Sequence, residues 1–98
     1  MEELKLYVVY HAKDGGREKF VRTLAEQGVL TTIRSEPGCV AYDYYFSAQD
    51  ENELLLIERW ESEAHQRVHM QQPHMDAVRA AKAQYIERTE VGKFRVEA

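Results

Sequence analysis

Cys39-Val-Ala-Tyr-Asp-Tyr-Tyr-Phe-Ser47 and Glu53-Leu-Leu-Leu-Ile-Glu-Arg-Trp60 decide how this chain folds. In the first run Val40, Tyr42, Tyr44 and Phe46 share one face, and Ala41, Asp43 and Tyr45 the other. In the second, Leu54, Leu56, Glu58 and Trp60 oppose Leu55 and Ile57. Aromatic and branched residues alternating with period two predict strands. The polar loop from Ala48 to Asn52 is short, so the two strands form a hairpin. Leu55 and Ile57 make the second face apolar too, which predicts a sheet covered on both sides.

Working outward, Leu4 to His11 is a further strand, with Leu6, Val8 and Tyr10 on one face and Tyr7, Val9 and His11 on the other. Asp14-Gly15-Gly16 is a turn able to cap a helix beginning at Arg17. From Arg17 to Ser35, Phe20, Val21, Leu24, Ala25, Val29 and Ile33 recur at helical spacing. Gly28 weakens that helix by roughly 1 kcal/mol relative to Ala, and Pro37 ends it. Pro37-Gly38 fits the centre of a type II turn. Beyond the hairpin, Ser62 caps a short helix reaching about Met70. Pro73 opens another helix reaching about Lys82, its inward edge formed by Met75, Val78 and the Lys82 stem. Gln84 to Val96 is extended and interrupted at Gly92.

The order strand, helix, strand, strand, helices, strand, with right-handed crossovers, gives an α+β ferredoxin-like plait. This is a four-stranded antiparallel sheet with helices on one face. Its open face carries apolar residues, and a bare apolar face of that size marks an interface. A second copy packing face to face, a homodimer with a barrel-like core, is the simplest cover.

Ninety-eight residues make one domain, expected over 1–98, with a thin core. An apolar share of 44% argues against disorder. A net charge of −4 without a Lys/Arg run argues against nucleic acid as partner. No window approaches the ~18 apolar residues that span a bilayer, and no secretory signal is visible. Cys39 stands alone and forms no internal disulfide. These features lead to the expectation of a soluble cytoplasmic protein with no membrane partner.

Chemistry concentrates between Glu58 and Met75. That stretch holds the single tryptophan and three of the four histidines. His69 and His74 suit proton transfer near neutral pH, and Trp60 is a flat apolar surface. Each has a plainer reading as core packing or a polar helix face. Glu58 shares a strand face with Trp60, so its carboxylate needs a partner such as Arg or His. Tyr42 and Tyr44 share a face with Phe46, and the two phenols either pack or bind a substrate oxygen. His65 is expected to be exposed, and His11 to be structural or at the dimer interface. His65 and His69 are spaced i, i+4, but no carboxylate completes a metal pattern, so no metal is expected.

Arg34-Ser-Glu-Pro-Gly-Cys39, Tyr42, Glu58-Arg-Trp60, Ser62, Ala64 and His69 together resemble the antibiotic biosynthesis monooxygenase (ABM) domain, from Leu4 to about Val96. The run His69-Met-Gln-Gln-Pro-His74-Met is similar to the small quinol monooxygenases of that group. It also resembles the isomerase that processes the phosphorylated autoinducer-2 breakdown product. The resemblance implies a dimeric α/β barrel. It implies oxygenation of a small electron-rich aromatic by dioxygen without metal, flavin or haem, in a pocket between sheet and helices. On that reading His69 and His74 supply the catalytic base, and Trp60, Tyr44, Phe46, Met75 and Glu58 bind substrate. Haem-degrading relatives use an asparagine on the first strand, which this chain lacks. The competing expectations are isomerisation of a small phosphorylated keto sugar, with Arg34, Arg59 or Arg79 near the phosphate, and a non-catalytic dimeric ligand-binding domain.

Overall fold

The computed structural model describes residues 2–97, so the two ends of the domain expected over 1–98 lie outside the described residues. Strand β1 (Leu4–Ala12) leads into helices α1 (Gly16–Glu26) and α2 (Val29–Arg34). The hairpin β2 (Cys39–Phe46) and β3 (Glu53–Trp60) comes next, then α3 (Glu63–Met70), α4 (Met75–Tyr85) and β4 (Ile86–Lys93). The sheet is antiparallel in the order β2-β3-β1-β4. This is the ferredoxin-like plait expected from the alternation.

Register stacks the inward residues into rows. Leu6 lies opposite Glu58, Val8 opposite Leu56 and Tyr10 opposite Leu54 on one side, while Tyr42 and Tyr44 face Glu58 and Leu56 on the other. These side chains meet Phe20 and Leu24 of α1, Val29, Leu30 and Ile33 of α2, and Met75, Val78 and Ala81 of α4 in one core. Phe20, Leu24, Ile33, Leu54, Leu56 and Trp60 are fully excluded from water. Each such large apolar side chain contributes roughly 1.5–3 kcal/mol by burial. The opposite sheet face leaves Tyr7 and Tyr45 exposed.

Four local expectations are corrected. The helix expected over 17–35 is two helices, because Gly28 sits at φ 73°. A left-handed residue cannot continue a right-handed helix, and glycine adopts that conformation without a Cβ penalty. The break re-aims α2, so Val29, Leu30 and Ile33 all reach the core. Asp14 does not cap α1; the N-cap is Gly15, with no side-chain hydrogen bond. Pro73 and His74 form a turn ahead of α4, which runs to Tyr85 rather than Lys82. Gly92 does not interrupt β4. It pairs with Tyr7, whose ring covers the glycine so closely that an added Cβ would collide with it.

Candidate active site

The site is assembled from a turn, a strand end and two helices. Gly38 adopts φ 83° and the Cys39 N–H donates to the Glu36 carbonyl at 3.1 Å, closing the Pro-Gly turn. The Gly38 carbonyl accepts from the Glu61 N–H at 2.8 Å, pinning the turn to the end of β3. Ser62 then caps α3 by accepting from the His65 N–H, and its hydroxyl also bonds the His65 ring at 2.7 Å. That ring lies directly on Gly38 and fills the space a Cβ would need. His65 is thus half-buried as a spacer rather than exposed as expected.

Pressed this close, the turn delivers Glu36 beneath α3 and the start of α4. Its Oε2 accepts from His69 Nδ1 at 2.9 Å and from His74 Nε2 at 2.8 Å. A carboxylate only accepts, so both of those ring nitrogens carry hydrogen. Neutral His69 is therefore the Nδ1–H tautomer with its lone pair on Nε2. Among the described residues, nothing else hydrogen-bonds the His69 ring. His69 is 1% exposed and its ring lies 4.6 Å from Trp60, tilted by 35°. The Trp60 N–H donates to Glu58 Oε1 at 3.0 Å. The partner required by buried Glu58 is thus the tryptophan on its own strand, not an Arg or His. Burial raises the Glu58 carboxyl above the ordinary carboxylate range. The Trp60 hydrogen bond and nearby His69 offset part of that rise, and Glu36 adds to it.

Above these groups lies a cavity of about 220 Å³ between sheet and helices, with Tyr10, Tyr42, Glu58, His69, Met75 and Lys82 among its walls. A wider depression of about 430 Å³ lies between Glu2–Lys5 and Lys93–Arg95, but it is open and contains neither histidine nor tryptophan. His69 and Glu58 line the smaller, more enclosed space. Burial first holds the phenols of Tyr10 and Tyr42 well above the usual range, with repulsion from Tyr44 and Glu58 adding to it at Tyr10 and from Tyr10 and Glu58 at Tyr42. They stay neutral donors near pH 7. Tyr44 is held high by burial likewise, yet its hydroxyl is buried with no hydrogen-bond partner among the described residues. It packs edge-on to Phe20 and Tyr42 behind the cavity wall.

The structure therefore brings Glu58, His69 and Met75 to the cavity and places Trp60 directly behind His69. His74 meets the site only through Glu36, with its side chain 22% exposed. Phe46 lies apart. It pairs with Leu54, six residues before Trp60, or about 20 Å along the strand at ~3.4 Å per residue. There Arg17 covers its ring at 4.3 Å. His11 faces away from the cavity and bonds Glu90 at 2.6 Å. Glu36 and Tyr10 are site residues that sequence reasoning missed. Glu36 looks like part of a turn, and its partners lie far along the chain. Tyr10 did carry a signal, a phenol on an otherwise aliphatic strand face. Although Glu36, His69 and His74 are ligand-type residues, their atoms bond one another. No group of three or more such residues is arranged to hold a metal among the described residues. No described helix is long and apolar enough to cross a membrane.

Residues 4–81 match the family described as "Antibiotic biosynthesis monooxygenase". The chain is 32% identical over 62 residues to "Uncharacterized protein sll1783" of Synechocystis, covering 63% of this chain and 41% of that protein. It is 33% identical over 57 residues to "Probable quinol monooxygenase YgiN" of Escherichia coli K12, covering 50% of this chain and 55% of that protein. The chain thus spans about half the length of the curated relatives it matches. The crystal structure of PA3566 from Pseudomonas aeruginosa superposes with a TM-score of 0.85 at 21% identity, over 100% of this chain and 97% of that one. Rv0793 from Mycobacterium tuberculosis gives 0.81 at 26% identity, over 99% and 97%.

Proposed function

The chain belongs to the antibiotic biosynthesis monooxygenase family, and on that premise we propose that it oxygenates a small hydroquinol-like aromatic with dioxygen and no cofactor. The observation that carries this reading is the buried Glu36–His69 pair at an enclosed cavity, backed by Trp60. The substrate phenol gives its proton to His69 Nε2, and Glu36 stabilises the imidazolium that forms. The resulting phenolate is electron-rich enough to pass one electron to dioxygen. Recombination of the two radicals forms a carbon–oxygen bond, and loss of water leaves a hydroxyquinone. Hydroquinol plus dioxygen thus gives hydroxyquinone plus water, with no outside reductant. Tyr42, held neutral and packed beside His69, donates a hydrogen bond to the negative oxygen that develops. Glu58 is a second proton acceptor at the same end.

The active unit is proposed to be a homodimer, closed through the sheet face that carries Tyr7 and Tyr45. Light scattering is expected to give twice the chain mass.

The decisive experiment is oxygen uptake by metal-depleted protein with a panel of single-ring hydroquinols, with menadiol as the fused-ring comparison. Uptake well above autoxidation, with a hydroxylated product, is expected. No acceleration across the panel overturns the oxygenase reading. Ligand retention after loss of His69, in the absence of any turnover, would instead favour a binding domain.

A further inference from the structure

The cavity is chemically polar along its length. On α4, Met75, Val78, Arg79 and Lys82 fall at i, i+3, i+4 and i+7, so one helix face supplies a whole wall. Met75 stands beside the turn that carries Glu36. Lys82, seven residues later, is about 10 Å further along the axis at ~1.5 Å per residue. The sheet repeats this direction, with Glu58 opposite Leu6 and Tyr10 four residues on. One end therefore accepts protons, through His69 and Glu58, and the other carries positive charge.

At the charged end Lys82 Nζ lies 5.8 Å from the Tyr10 ring centroid, in the range of a cation–π contact. Lys82 is half-buried, and no carboxylate or carbonyl accepts from it among the described residues. The three arginines expected near an anion are engaged. Arg79 donates to Asp76 and to the Met70 carbonyl. Arg34 donates to the Tyr42 carbonyl and sits 3.6 Å from Asp43, while Arg59 binds Glu3. A single free ammonium suits a monoanion. A phosphate ester calls for several donors or a bidentate guanidinium. Engineered cavities of ~150 Å³ hold a benzene, so about 220 Å³ takes one substituted ring and not a fused polycycle.

We propose that Lys82 is an anion anchor, and that the substrate is a single-ring hydroxylated aromatic carboxylate. Its carboxylate lies at Lys82 and its phenol at His69 and Glu58. This rests on the oxygenase reading for the reaction but not for the binding, which is tested separately.

Calorimetric titration under argon compares 2,5-dihydroxybenzoate with its methyl ester. Wild-type protein is expected to bind the acid about tenfold more tightly than the ester, as a charge-assisted hydrogen bond gives. Lys82→Met is expected to abolish that ratio by weakening acid binding about tenfold, and Lys82→Arg to restore most of it. Equal binding of acid and ester by the wild type, a ratio that survives Lys82→Met, or binding of neither compound overturns the proposal. Selective binding without oxygen uptake leaves the anchor standing and overturns the oxygenase reading alone.

Discussion

Glu36 and His69 stand 33 positions apart in the chain and 2.9 Å apart in the fold, joined carboxylate to Nδ1. The carboxylate leaves the imidazole one tautomer and one orientation, so the free nitrogen is committed before substrate arrives. His74 shares the same carboxylate oxygen from the far side.

Replacing His69 by Ala is expected to lower kcat for a responsive quinol by at least ~100-fold, the usual share of a general base. Glu36→Gln is expected to lower kcat about as far with KM nearly unchanged, because it releases the ring without altering the cavity walls. His74→Ala, which touches the site only through Glu36, is expected to cost less than ~10-fold. Steady-state oxygen uptake on the three variants checks the order. Equal losses in the His69 and His74 variants would contradict the division between base and brace.

Trp60→Phe keeps the ring behind His69 but removes the donor to Glu58. A buried carboxyl that loses its hydrogen bond costs ~1–3 kcal/mol. The urea midpoint is expected to fall by a corresponding amount, with the m-value unchanged.

Burial raises the folded Glu58 pKa above its reference of 4.5. Between the unfolded and folded values the native state therefore binds more protons, and stability falls as pH rises through that window. Glu58→Gln removes the charge and keeps an oxygen for the Trp60 N–H. Thermal melts are expected to show the variant more stable than wild type at pH 7. The difference should shrink as pH falls through that window and level off below about 4.5. A difference independent of pH would show that the carboxyl is not strained by burial.

Tyr44→Phe deletes a buried hydroxyl that has no partner among the described residues. Leaving such a group unmade costs ~1–3 kcal/mol, so the variant is expected to melt higher by a few degrees. A loss of stability would mean that the hydroxyl is satisfied in solution. Oxygen uptake is expected to change little, since the ring lies behind the cavity wall.

The strands were legible because their signal is local. Alternation from Ala41 to Phe46 and from Glu53 to Trp60 identifies its own inner face, and the observed register keeps Tyr42, Glu58 and Trp60 on it. A bulge between Cys39 and Ala41 instead leaves Val40 exposed and packs Cys39 against the core. Gly28 was visible as a weak point, but propensity alone does not distinguish a tolerated glycine from one at φ 73°. The histidines were legible by residue type and their geometry was not. His69 and His74 look alike in sequence, and the fold puts one against the cavity and the other behind Glu36. Phe46 shares the inner face of Tyr42, yet distance along the strand takes it out of reach. Lys82 was readable as a stem covering the core. Its free ammonium at the cavity end depends on Tyr10, a strand residue from the other end of the chain.

The α4 wall has one more consequence. Proton handling is anchored in the Pro-Gly turn and α3, where the close approach of Gly38 to His65 leaves no room for change. The opposite wall is a single helical stripe of Met75, Val78, Arg79 and Lys82. Within it Met75 and Val78 also belong to the core and Arg79 holds the end of α3, which leaves Lys82 as the freest position. The scaffold therefore separates a tightly packed half from one with a tunable end, and new substrate ranges are most accessible through the Lys82 codon.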